Sequence, residues 1–238
     1  MRPDDDIGYG AEHDGHPPVL VLQHGELGPP GLLGDWLRAR GMPAEVHRDG
    51  DGLPAEDPRG YAFVASLGSW RSPRDADDPV VARELDLLAR AVEHDVPVLG
   101  LCFGGQALAV VLGGTVERAP VPELGWHEVE TTDPDTVAAG PWLQWHFERF
   151  TVPPGGQELA RSLSGSQAFR HGRHLGVQFH PESTIEIVRG WARSDRKRLA
   201  GLGIDDGEAL ATSGRRHAAG AAQRAFRLFD AFWSRAQG

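Results

Sequence analysis

The chain has 238 residues, 40% hydrophobic and 24% charged, with a formal net charge of −10, the make-up of a globular protein with room for one large domain. An acidic surface does not suit phosphate backbones, so nucleic acid is not expected as a partner. No apolar run approaches the roughly 20 residues that span a bilayer, the acidic start Met1-Arg-Pro-Asp-Asp-Asp6 is unlike a signal peptide, and the single cysteine permits no intrachain disulfide; together these predict a cytoplasmic protein with no membrane partner.

Residues 1–18 are polar with Gly and Pro and are expected to form a loose arm. Residues 19–22 are a continuous apolar run, as in buried parallel strands. A loop over 23–31 leads to a helix over 32–40, with Leu32, Leu33, Trp36 and Leu37 on one face and Gly41 as its stop. Residues 44–47 read as a second strand, 49–60 as loop, and 61–66 as a third strand ending in Leu67-Gly-Ser-Trp70. A helix follows from Pro79 to His94, with Val81, Leu85, Leu88 and Val92 at helical spacing. An apolar strand then runs into Cys102, followed by a helix to Leu112. The order β-α-β-β-α-β-α predicts an α/β fold with a mostly parallel central sheet and helices on both faces. Sites in such sheets lie at the carboxyl ends of the strands.

Beyond Leu112 the pattern changes to short strands with Pro and Gly turns, at 113–117, 127–131, 142–146 and 148–152, predicting a small antiparallel section. Residues 167–170 and 174–179 read as a hairpin, 184–199 as a helix and 218–233 as a terminal helix, with 201–214 ambiguous. The expected organisation is one domain over 19–199 and a C-terminal helical extension over 200–238 packed on it. One lysine, Lys197, stands among 24 basic residues, a bias expected of a GC-rich bacterial genome.

The stretch Gly100-Leu-Cys-Phe-Gly-Gly-Gln106 joins strand to helix through a thiol flanked by glycines, the grammar of a nucleophile elbow. A lone cysteine is more often a small buried hydrophobe. At the first turn of a helix, however, the dipole and unpaired N–H groups favour the nucleophilic thiolate. Gly104 and Gly105 are expected to clear the approach for a substrate. Of eleven histidines, His180 differs by its setting, Val177-Gln-Phe-His-Pro-Glu182, at the end of an apolar strand. Glu182, two residues on, can point the same way and hold the second ring nitrogen, which completes the logic of nucleophile, base and orienting acid. His171-Gly-Arg-His174 lacks any further Cys or carboxylate at ligand spacing and reads as a polar turn, so no metal and no cofactor are expected.

Together, Gly100-Leu-Cys-Phe-Gly-Gly-Gln106 and Phe179-His-Pro-Glu182 resemble the two signatures of the class I, or triad, glutamine amidotransferases, and in particular stand-alone proteins related to the glutaminase domain of GMP synthetase. Further matches are Val19-Leu-Val-Leu-Gln-His24, Leu67-Gly-Ser69, Glu123-Leu-Gly-Trp126, Val152-Pro-Pro-Gly155 and Gln167-Ala-Phe169. The resemblance covers residues 19–195 and implies a flavodoxin-like sheet and hydrolysis of the glutamine side-chain amide through a γ-glutamyl thioester. It assigns Cys102, His180 and Glu182 as catalytic, the N–H groups of Gly68 and Phe103 as the oxyanion hole, and Gln106 and His146 as substrate-binding. Read without the family, Gln106 is equally a polar residue in the first turn of a helix.

The chain departs from the subgroup at His146-Phe147-Glu148, where a His-Gly-Asp sequence is usual, which puts the substrate in question rather than the thiol chemistry. Gly-Leu-Cys-Phe-Gly-Gly lacks the Lys-Ser/Thr of a phosphate loop, and no ATP-using synthetase fits in this length. Ammonia would therefore pass to a separate synthase or synthetase partner, or to none. A γ-glutamyl hydrolase or peptidase would use the same residues, and a binding or regulatory protein on the same fold is a third reading.

Overall fold

The computed structural model describes residues 17–48, 57–204 and 207–238. Most of the arm expected over residues 1–18, and much of the loop expected over 49–60, lie outside the described residues. Among the described residues nine strands form one sheet: β1 (Val19–Gln23), β2 (Ala44–Arg48), β3 (Val64–Ser66), β4 (Val98–Leu101), β5 (Val116–Thr131), β6 (Gly140–Phe150), β7 (Gln157–Ser162), β8 (Gly165–His171) and β9 (His174–Val177). The helices are α1 (Gly31–Ala39), α2 (Pro79–Glu93), α3 (Phe103–Val111), α4 (Ile185–Ser194), α5 (Arg196–Gly201) and α6 (Gly207–Ala236). Among the described residues no helix is long and apolar enough to cross a membrane.

The strand order is β2-β1-β3-β4-β9-β8-β7-β5-β6. The first five strands are mutually parallel and the rest antiparallel. The parallel half has the flavodoxin-like order that the family resemblance implies. The antiparallel part is not small: it continues the same sheet with strands as long as 16 residues.

Side chains alternate across a strand, and β1 shows how this builds two layers. Val19 and Val21 pack with Leu33 and Trp36 of α1 and with Phe229 and Phe232 of α6. Leu20 and Leu22 pack on the other face with Val81 and Leu88 of α2 and Leu108 of α3. The indole of Trp36 donates to Asp230 at 2.8 Å, tying α1 to α6 across that layer.

Other expectations change, among them the strands at 142–146 and 148–152, which are parts of one strand, β6. The short strands at 113–117 and 127–131 are parts of one strand, β5. Pro120 and Pro122 interrupt its apolar pattern, and a register shift between Arg118 and Glu123 accommodates them. Strand β7 is not signalled, because burial along Gln-Glu-Leu-Ala-Arg-Ser does not alternate cleanly. The helix expected over 184–199 is two helices that break at Asp195, whose carboxylate accepts the Trp145 indole N–H at 2.9 Å. The inner face of α2 is Val81, Glu84, Leu87, Leu88 and Ala91, so a carboxylate occupies a place that hydrophobic spacing gives to Leu85.

His174 is likewise more than part of a polar turn. It is buried, and its Nδ1 accepts the Val98 N–H at 3.2 Å, joining β9 to β4. Burial pushes its imidazole down from 6.5 to about 4. Between those values the unfolded chain binds a proton that the folded protein does not, so stability falls as pH is lowered through this window. Urea unfolding from pH 7 to pH 4 should show a loss of roughly 2–3 kcal/mol from this group. His174→Asn, which keeps an acceptor there, should flatten that part of the profile; an unchanged loss in the variant would assign it elsewhere.

Candidate active site

Three adjacent parallel strands, β3, β4 and β9, bring distant parts of the chain together at their carboxyl ends. Register pairs Ser66 with Gly100 and Leu101 with Val177. Gly68, Cys102 and His180 therefore emerge side by side, although 78 residues separate Cys102 from His180.

Cys102 is where β4 turns into α3, with φ 52° and ψ −105°. A side chain in this region costs roughly 1–3 kcal/mol and persists only when its surroundings fix it. The surroundings do so here: the Cys102 N–H donates to Val177 O at 2.9 Å, and its carbonyl accepts from Gln106 N–H at 2.9 Å. The glycines that follow allow the helix to sit this close. A Cβ on Gly104 would lie 2.0 Å from Ser66 O, and one on Gly105 would lie 2.4 Å from Val177 O. Their role is thus close packing of α3 on the strand ends, not clearance for a substrate.

His180 Nδ1 lies 2.7 Å from Glu182 Oε1, and both side chains are buried. The Cys102 thiol lines the same cleft as this imidazole, and its sulfur raises the ring's affinity for a proton. Burial by itself favours the neutral ring, but the Glu182 carboxylate and the Cys102 sulfur outweigh it and push His180 up to about 10. The backbone N–H of His180 donates to Leu143 O at 2.8 Å, and its ring packs on Trp191 of α4 with centroids 4.6 Å apart. Glu182 Oε2 is buried with no hydrogen-bond partner among the described residues, so the carboxylate bonds to the imidazole alone. The Gly68 loop approaches from the other side, where a Cβ on Gly68 would lie 2.7 Å from His180 Cε1 and 3.7 Å from Cys102 Cβ.

The two residues expected to bind substrate are tied into the protein. Gln106 donates from Nε2 to Glu148 O at 3.1 Å and to Gln178 Oε1 at 3.2 Å. His146 has Nδ1 at 2.9 Å from Glu148 O and Nε2 at 3.0 Å from Glu123 Oε2. Both border the cleft, but both ring nitrogens of His146 are committed to its framework.

Gln178 is the residue the sequence did not single out. Its Nε2 donates to the Cys102 sulfur at 3.8 Å. Its position two residues before His180 put it on the same side of an extended chain, which was the available signal.

The cleft above Cys102 has a volume of about 620 Å³, with Trp70, Trp145, Phe147 and Trp191 among its lining residues. Phe147 and Glu148, where the chain departs from the pattern, build one wall. Arg198 of α5 stacks 4.8 Å over the Phe147 ring, and Glu148 accepts from Ser72 Oγ at 2.6 Å and from Arg74 at 3.2 Å.

Residues 68–188 match the family model described as glutamine amidotransferase class-I. The chain is 32% identical over 202 residues to the glutamine-hydrolyzing GMP synthase of Phenylobacterium zucineum, covering 79% of this chain and 37% of that protein. It is 35% identical over 135 residues to a glutamine-hydrolyzing GMP synthase subunit of Sulfolobus acidocaldarius, covering 49% of this chain and 72% of that one. Among solved structures, a glutamine amidotransferase from Methylobacillus flagellatus gives a TM-score of 0.84 at 28% identity, over 93% of this chain and 95% of that one. Another from Thermotoga maritima gives 0.83 at 25% identity, over 92% and 98%. The chain spans 18% to 37% of the length of the first GMP synthases it matches.

Proposed function

Because the chain belongs to the class I glutamine amidotransferase family, we propose that it hydrolyses the side-chain amide of glutamine to glutamate and ammonia with Cys102, His180 and Glu182. The observation that carries this is a single buried thiol sharing a cleft with an imidazole that is itself held at 2.7 Å by a buried carboxylate.

Cys102 Sγ attacks the amide carbon, and the carbonyl oxygen becomes an oxyanion. The N–H groups of Gly68 and Phe103 receive it. In the trans peptide between Leu67 and Gly68, the carbonyl accepts from Gly104 N–H at 3.3 Å, which turns the Gly68 N–H the opposite way. Phe103 opens α3, where N–H groups lack intrahelical partners. As the C–N bond breaks, His180 gives its proton to the departing nitrogen, leaving ammonia and a γ-glutamyl thioester. In the thioester the sulfur no longer carries charge, so one of the two influences that raise His180 is gone. The ring can then take a proton from water, whose oxygen attacks the thioester and releases glutamate.

The volume and aromatic walls of the cleft support a second reading, a γ-glutamyl amide whose leaving amine is larger than ammonia. Glutamate release from glutamine and from a γ-glutamyl dipeptide, measured side by side, separates the two. Faster turnover of glutamine is the expected result, and release from neither substrate overturns both. If glutamine is the substrate, the relatives' naming supports an ammonia-using synthetase as a separate partner. Such a partner would raise the glutaminase rate when added.

A further inference from the structure

Three buried polar residues stand behind this site and take no part in the triad: His24 just after β1, Ser66 at the end of β3 and Glu84 on α2. By alternation His24 and Ser66 continue the columns Leu20-Leu22 and Val64 on the face that packs against α2 and α3. Helices α1 and α2 cover opposite faces of the sheet, so the gap between β1 and β3 is its topological switch point, where open α/β sheets usually admit a ligand. In this protein His24 and Glu84 fill that gap.

The contacts form a chain that ends on the oxyanion loop. Ser66 Oγ donates to Glu84 Oε1 at 2.6 Å, Glu84 Oε2 lies 2.6 Å from His24 Nε2, and His24 Nδ1 lies 3.1 Å from Gly68 O. A carbonyl only accepts, so Nδ1 carries a proton, and a second proton sits between Nε2 and the carboxylate. The same ring meets the Phe103 ring edge-on with centroids 4.9 Å apart. His24 therefore touches both residues whose N–H groups are assigned to the oxyanion. Gly104 N–H fixes the peptide before Gly68, and His24 fixes the peptide after it.

We propose that His24, held by Glu84 and Ser66, is a positioning residue that fixes the Gly68–Ser69 peptide and, through it, the backbone of Gly68 that carries the oxyanion N–H, so that the oxyanion site is formed before any partner binds. This rests on the function proposed above. His24→Phe keeps a ring against Phe103 but offers no N–H. It should lower kcat for glutamine about 10²-fold, the scale of one lost oxyanion donor. KM should change less than about threefold, and iodoacetamide should label Cys102 at the wild-type rate, because the thiol and His180 are untouched. Glu84→Gln can still hold the ring with Nδ1 protonated and should stay within about tenfold of wild type, whereas Glu84→Leu should fall as far as His24→Phe. The Glu84 pair carries the comparison if His24→Phe does not fold.

Wild-type kcat in His24→Phe, or slowed labelling that matches its lost turnover, overturns the proposal. Absence of glutamate release by the wild type overturns only the assigned reaction. In that case a crystal structure of His24→Phe decides: a rotated Gly68 peptide supports the positioning role, and an unmoved one sinks it.

Discussion

Cys102→Ala is expected to lower glutamine turnover by about 10⁶-fold, the scale on which removing a nucleophile disables a catalytic unit. The residual rate over water would come from the oxyanion site and from binding. Folding should be little affected, by about 1 kcal/mol, because alanine meets the same backbone strain at φ 52° and the N–H bond to Val177 does not involve the side chain. Since the chain has one cysteine, labelling by iodoacetamide followed by mass spectrometry reads this site alone, and the wild type should lose activity in step with incorporation. A variant that kept a tenth of wild-type activity would remove the thiol from the mechanism.

Glu182→Gln should lower kcat by about 10⁴-fold with KM within a few-fold, the effect of removing the orienting charge of a triad. Few positions isolate that charge so well. The main chain at 182 is anchored separately, with Glu182 O accepting Leu32 N–H at 2.8 Å, and glutamine retains an acceptor for His180 Nδ1–H. Glu182 is foremost among the groups that raise His180, so the imidazole, at about 10 in the wild type, should titrate lower in the variant. NMR of ¹⁵N-histidine-labelled protein measures this directly. For the same reason the acylation step in the wild type should hold its rate through mildly alkaline pH and decline as His180 deprotonates near 10. The double variant with Cys102→Ala should be no slower than Cys102→Ala alone, because residues acting as one unit are not additive. An imidazole unmoved by Glu182→Gln would show that the carboxylate does not set its charge.

What could be read from the chain was local. Gly100-Leu-Cys-Phe-Gly-Gly announces strand, turn and helix within a few residues, and the spacing from His180 to Glu182 places two side chains on one side of an extended segment. The patterns of 19–22, 32–40 and 79–94 made the first four parallel strands and their helices legible, but not that β9, one arm of the expected hairpin, is the fifth. The antiparallel half was harder to read. Pro120 and Pro122 look like breaks until β6 is present to pair across the shift in β5. The split between α4 and α5 at Asp195 depends on Trp145, which is 50 residues away.

The amino-acid sequence by itself singled out the residues proposed as nucleophile, base and orienting acid, because each is marked by neighbours one to four residues away. Only the tertiary structure decided how they are held. The Ser66–Glu84–His24–Gly68 chain links three segments, and nothing near Glu84 distinguishes it from a solvated helix residue. Gln178 against the sulfur and the double anchoring of His146 are of the same kind. Hydrophobic spacing reports which face of an element turns inward, but a buried polar residue is stable only through partners brought to it by folding. Cys102 could therefore be found from the sequence alone, whereas the frame that keeps the Gly68 loop against it could not.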